Sequence, residues 1–312
     1  MLSRIRHFCP ETLSLTVLTI AAVCFLLTEQ ALSQSRRSAR AVEDSGSVIP
    51  VLIKNPEGSE LKINPENFHV YENGIEQRIL NIAYDPSPSR IVLLADNSAT
   101  VGADVEKLKA AVMEFAYEIF EGDQLFVIAF DEKPEIIQEW TDDAKKIESS
   151  LSTFRKRGNP YLFDAISATV NEVLLPLMPG TKKTAIVVIG DGLDRGSKTS
   201  FDKIHDMLLG NNITVYFLQL EDRSGGVYRK NQPKASVVVQ KLTEDTGGKA
   251  FSFDQAQDAA KFICDELRKN RYLLSYQSLN SSSYDARRLL LLADGNMEIR
   301  MKKFEPPSIK AN

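Results

Sequence analysis

Three oxygen-bearing side chains follow an apolar run at two-residue spacing. In Ile91-Val-Leu-Leu-Ala-Asp-Asn-Ser-Ala-Thr100 they are Asp96, Ser98 and Thr100. A continuous apolar run of this kind reads as a parallel strand buried on both faces, and ligands of open α/β sheets bind beyond the carboxyl ends of such strands. One carboxylate and two hydroxyls on that loop form a hard-oxygen set suited to a Mg²⁺-type cation that keeps several waters. The stretch Thr184-Ala-Ile-Val-Val-Ile-Gly-Asp-Gly-Leu-Asp194 repeats the design, with Asp191 at its end.

Rival chemistries lack their parts. A strand-end Asp serves as nucleophile in haloacid-dehalogenase-like phosphatases, but those want a second acid two residues on, where Ser98 stands. Gly190-Asp-Gly-Leu-Asp-Arg-Gly196 departs from G-x-G-x-x-G, and its acids would repel phosphate. His69 and His205 lie in separate segments without acidic or Cys partners at ligand spacing. No Ser has a G-x-S-x-G setting. Trp140 closes a strand segment and reads as a packing residue, and Cys264 reads as a buried apolar one.

Alternating periods must position the two acidic loops. Strands are predicted over 91–95, 124–130, 135–139, 184–190, 213–219 and 249–253, and helices over 104–120, 142–154, 161–175, 199–209, 234–246 and 255–270. This pattern predicts a doubly wound α/β fold, a mostly parallel sheet with helices on both faces. Segment 124–139 has no room for a helix between its strands, so one of them should be antiparallel and at the edge. Further strands are predicted over 48–53, 68–71 and 79–83, with Asn73-Gly74 as a hairpin signal, and over 272–276, 288–293 and 297–301. The two β segments, 47–88 and 272–304, should pair into one small sheet unit, with the α/β domain over 89–271 inserted between its halves. Residues 305–312 read as a tail.

The chain has 312 residues, 43% hydrophobic and 26% charged, with a formal net charge of −4. That balance gives no case for nucleic acid as partner. Arg4 and Arg6 precede an uncharged stretch, and Ala31-Leu-Ser33 supplies small residues before Gln34. Residues 1–33 therefore read as a secretory signal peptide and 34–46 as a polar linker, which implies an exported, envelope or secreted protein with no membrane span in its mature chain. An uncleaved N-terminal anchor is the alternative. After cleavage only Cys264 remains, so no internal disulfide forms.

The motifs together resemble von Willebrand factor type A (VWA) domains. Asp96-Asn-Ser-Ala-Thr100 matches D-x-S-x-S of the metal-ion-dependent adhesion site (MIDAS), and Asp191-Gly-Leu-Asp194 matches its second acidic loop. Gly158-Asn-Pro-Tyr-Leu-Phe-Asp-Ala-Ile166 is similar to the family's G-G-T-x-L-Y-D-A-I, and Leu242-Thr-Glu-Asp-Thr-Gly-Gly-Lys-Ala-Phe251 to its helix–Gly-Gly–strand passage. The flanks, from Val51-Leu-Ile-Lys-Asn-Pro-Glu-Gly to Phe68-His-Val-Tyr-Glu-Asn-Gly74 and over Leu267–Tyr276, resemble the secreted VWFA-related, Acidobacterial-type subfamily.

The resemblance implies a non-enzymatic adhesion or binding module. Its Mg²⁺ or Mn²⁺ would be held by Asp96, Ser98, Thr100 and Asp191, and an acidic residue of a protein or other extracellular macromolecule would complete the cation's shell. Pro160 stands where the family has Thr, so Asn159 is the candidate substitute oxygen. Arg155, Lys156, Arg157, Arg195, Arg223, Arg229 and Lys230 are expected to rim the pocket and attract such a partner. Two alternatives stand beside this reading: a structural module of an envelope assembly with a non-functional metal site, and a divalent-metal hydrolase.

Overall fold

The computed structural model describes residues 46–55, 63–178, 183–221, 233–279 and 284–307. The predicted signal peptide, nearly all of the linker and the loop bearing Arg223, Arg229 and Lys230 lie outside the described residues.

The first described elements are β1 (Ser47–Lys54), β2 (Phe68–Glu72) and β3 (Ile75–Tyr84). Asn73 and Gly74 turn β2 into β3 with φ of 52° and 81°, the paired left-handed geometry that Asn-Gly favours in a two-residue hairpin. The α/β unit follows: β4 (Arg90–Asp96), α1 (Val105–Glu118), β5 (Gln124–Phe130), β6 (Pro134–Thr141), α2 (Ala144–Ser150), α3 (Leu162–Ala168), β7 (Thr184–Gly190) and α4 (Phe201–Gly210). It continues through β8 (Thr214–Gln219), α5 (Ala235–Glu244), β9 (Ala250–Ser252) and α6 (Ala256–Lys269). The described residues end with β10 (Arg271–Gln277), β11 (Arg287–Ala293), β12 (Glu298–Met301) and β13 (Phe304–Glu305).

The α/β sheet has the order β6-β5-β4-β7-β8-β9. Each neighbouring pair is parallel except β5–β6, because residues 131–133 cannot cross the sheet. Ile91, Leu93 and Ala95 of β4 pack on one face with Leu108 and Phe115 of α1 and Ile263 of α6. Val92 and Leu94 pack on the other with Ile166 of α3, Ile204 of α4 and Val238 of α5. Burial on both faces is why these strands read as unbroken apolar runs.

The flanking strands form a second, wholly antiparallel sheet in the order β12-β1-β10-β3-β2-β11-β13. Strand β10, from the second flank, lies between β1 and β3 of the first, so the α/β unit interrupts this sheet between β3 and β10. Residues 294–297 link β11, near one edge, to β12 at the other. So short a link requires the sheet to curl, and Val51, Val70, Leu274, Tyr276 and Leu289 fill its interior.

Several expectations are corrected in detail. The helix predicted over 161–175 ends at Ala168, continues as a π turn over Thr169–Leu174 and closes in a 3-10 turn at Leu175–Leu177. Pro176 has no N–H and its ring crowds the carbonyl one turn back, which an α-helix cannot absorb. The helix predicted over 142–154 shortens to α2 plus one 3-10 turn. Strand β13 (Phe304–Glu305) straddles the expected boundary between the β flank and the tail, carrying the flank one residue further than predicted. Among the described residues no helix is long and apolar enough to cross a membrane.

Cys264 is 1% exposed within the α1–α6 layer, and burial pushes its thiol far above the usual range. In folded protein at pH 8, Cys264 should therefore resist a thiol-disulfide reagent until denaturant is added, as peptide mapping of the labelled sites would read. Labelling at the rate of a free cysteine would show that the α6 face opens.

Candidate functional site

Strands β4 and β7 are neighbours, and the chain winds outward from them in opposite directions. A crevice at the carboxyl ends of such a pair is where open α/β sheets place ligands. Asp96 ends β4 and Asp191 directly follows β7; they are 1% and 2% exposed. Gly190 allows the two loops to approach, since a Cβ there would lie 3.1 Å from that of Asp96. The backbone N–H of Ser98 donates to Asp96 Oδ1 at 2.8 Å, and that of Leu193 donates to Asp191 Oδ1 at 2.9 Å. The hydroxyls of Ser98 and Thr100 lie 3.2 Å apart.

Burial pushes the Asp96 carboxyl up to about 7, and the Asp191 charge adds to the rise. Hydrogen bonds from Ser98 and the Lys156 ammonium pull the other way without cancelling it. The structure thus brings together four of the predicted oxygen donors as two buried carboxylates and two adjacent hydroxyls. All are hard ligands, chemically matched to a divalent cation.

A neighbouring loop braces the first one. Asn97 accepts from Arg157 N at 3.0 Å and donates its side-chain amide to Arg155 O at 3.0 Å. The Lys156 ammonium donates to Val101 O at 2.6 Å and Ala103 O at 2.9 Å. Arg157 pairs with Asp131 at 2.7 Å, and Arg155 with Glu135 at 3.6 Å. Three of the expected rim cations are therefore engaged with acids or carbonyls of this chain. Asn159 is exposed and donates to Glu132 Oε1 at 3.4 Å; no hydrogen bond joins it to Asp96 among the described residues. Pro160 is buried, and its carbonyl accepts from Arg195 N at 2.7 Å.

Two aspartates whose role the sequence left open lock the second loop to α3. Asp194 accepts from Phe163 N at 3.1 Å, Ser197 N at 3.2 Å and the Ser197 hydroxyl. Asp164 of α3 accepts in return from Lys198 N at 3.0 Å and Thr199 N at 2.9 Å. Burial raises the Asp164 pKa, but these bonds outweigh it and leave the carboxyl below its usual range. Its support is therefore present above the unfolded value of 3.8 and lost as pH falls below it. The matching Asp-Ala-Ile and Asp-Gly-Leu-Asp motifs were the sequence signal for this pair; the acids that neutralise the arginines gave none.

The histidines sit elsewhere. His69 pairs with Glu76 at 2.8 Å in the flanking sheet, and His205 with Asp245 at 3.0 Å.

Residues 91–193 match the family model of the von Willebrand factor type A domain, and the α/β unit has that fold. No curated protein matches the chain. Among solved structures, a von Willebrand factor type A protein from Catenulispora acidiphila superposes with a TM-score of 0.48 and 10% identity, over 77% of this chain and 73% of that one. An aerotolerance-related membrane protein from Bacteroides fragilis gives 0.46 and 17%, over 58% and 99%. The von Willebrand domain of a type V pili tip protein from Porphyromonas gingivalis gives 0.46 and 9%, over 58% and 95%.

Proposed function

We propose that this chain is an exported, non-enzymatic binding module in which Asp96, Ser98, Thr100 and Asp191 hold Mg²⁺ or Mn²⁺. The partner is a protein or other extracellular macromolecule that presents an acidic side chain. The observation that carries this reading is the pair of like-charged, buried carboxylates at adjacent strand ends with two hydroxyls beside them. A divalent ion is the charge that relieves both. When bound, the cation supplies a Lewis-acidic point for the partner's carboxylate. The two aspartates contribute the charge, Ser98 and Thr100 orient the shell, and the Asp164–Asp194 lock fixes the second loop. Asn159 falls outside this ligand set, its amide being held by Glu132. Among the rim cations, Arg195, Arg223, Arg229 and Lys230 remain the candidates for steering the partner.

Export rests on residues 1–33 as a signal peptide. Membership of the VWFA-related, Acidobacterial-type subfamily is supported by the flanking segments pairing into a single sheet.

Two observations favour a metal-free structural module as the second reading: Pro160 brings no side-chain oxygen, and the Lys156 ammonium already offsets part of the Asp96 charge. Calorimetric titration with Mn²⁺ separates the readings. Wild type should bind, Asp96→Ala should not, and Pro160→Thr should tighten binding by roughly tenfold, the usual scale for a metal-site neighbour. Silence from wild type together with binding by Pro160→Thr would establish the second reading. Binding that survives Asp96→Ala would place the site elsewhere.

A further inference from the structure

Away from the loop face, edge strand β6 and the segment beyond α3 leave a groove of about 550 Å³. Phe126 and Ile128 of β5 form its floor, Ile136 and Trp140 one wall, and Thr169 and Val173 the other. Trp140 packs edge-on against Phe126 with ring centroids 5.1 Å apart. Ile136 is 56% exposed although β6 belongs to a sheet otherwise covered by helices. The opposite wall is the π turn that Pro176 imposes. There the Thr169 hydroxyl is buried without a hydrogen-bond partner among the described residues. A threonine in a regular helix would bond to the carbonyl one turn back.

Charge narrows the occupant. Glu139 and Glu172 line the groove, and among the described residues no Lys or Arg does. A second copy of this chain, docked about a twofold axis, would set these carboxylates against their own images. Two register shifts in the β5–β6 pairing distort the strand, which hinders addition of a further strand by backbone bonds. Side chains must therefore carry recognition.

We propose that this groove docks a segment of another protein in which aliphatic side chains alternate with lysine or arginine. The aliphatic groups enter between Ile136 and Trp140, and the cations meet Glu139 and Glu172. This surface is independent of the proposed metal site.

Trp140 is the only tryptophan of the chain, so its emission reports on the groove alone. The probe is a synthetic peptide alternating leucine and lysine, with a leucine–glutamate peptide as control, both in EDTA so that any metal-site binding is silent. The lysine peptide should shift Trp140 emission saturably, with an affinity that falls as salt rises. Glu139→Lys/Glu172→Lys should weaken it at least fivefold, and Ile136→Asp should abolish the shift. All three positions are solvent-facing, and thermal melting confirms that the variants fold. No saturable shift, an equal response to the glutamate peptide, or indifference to Ile136→Asp would overturn the proposal. So would sedimentation showing a dimer that Ile136→Asp dissolves, because a second copy would then be the occupant.

Discussion

Metal-free Asp96→Asn protein should be more stable than wild type at pH 8, by on the order of 4 kcal/mol. The figure follows from a folded-state pKa of about 7 against 3.8 for a free carboxyl, at about 1.4 kcal/mol per unit. The direction follows from linkage. Below 3.8 the carboxyl is protonated folded or unfolded and costs nothing. As pH rises to 7 the unfolded chain ionises more readily, so wild type loses stability, and above 7 the full penalty stands. Asparagine keeps an oxygen for the Ser98 N–H and has no charge to desolvate. The difference between variant and wild type should therefore grow between pH 4 and 7 and level off beyond. In a domain of this size it corresponds to a melting-temperature rise on the order of 10 °C. Saturating Mn²⁺ should shrink the gap by stabilising wild type alone. Equal melting temperatures across the pH range would mean that Lys156 already compensates the Asp96 charge, and the case for a cation would weaken with it.

The sequence made the two acidic loops legible because buried parallel strands carry an unmistakable apolar signature, and each ended in an aspartate. The antiparallel edge at β6 was legible from connection length alone. Where β10 inserts between β1 and β3 was not, since strand order depends on side-chain packing among segments about two hundred residues apart. Strand β13 was invisible for a related reason: Phe304 and Glu305 become a strand only by pairing with Arg288 and Arg287. The π turn depends on Pro176 acting on residues before it, and an apolar pattern continued smoothly across that break. At the site, the motif named Asp96, Ser98, Thr100 and Asp191, the side chains the proposed metal set is drawn from. The neutralisation of Arg155 and Arg157 was not legible, because Asp131 and Glu135 lie far from them in sequence and meet them only through the loop geometry.

Asp194→Ala should destabilise the folded protein by about 3 kcal/mol and loosen the Asp191 loop, although Asp194 belongs to no ligand set. The helix it serves, α3, has seven residues and begins at Tyr161 without a side-chain cap of its own. The Asp194 carboxylate supplies that cap from across the crevice, accepting Phe163 N while also holding Ser197. It is 6% exposed, so truncation strands donors that water reaches poorly, at roughly 1–3 kcal/mol for each buried unsatisfied group. The favourable alignment of a carboxylate with the helix N-terminus is lost as well. Asp194→Asn keeps the acceptor and removes the charge, so it should fall between. Asp164→Ala breaks the other half of the lock and is more exposed, so its own cost should be smaller. The double variant should cost less than the sum of the two, since either alone already frees the 194–199 loop. Denaturant unfolding of the four proteins measures this coupling, and Mn²⁺ titration of the same set shows whether a freed loop costs affinity. Strictly additive costs with unchanged affinity would mean that the lock supports α3 and leaves the Asp191 loop untouched.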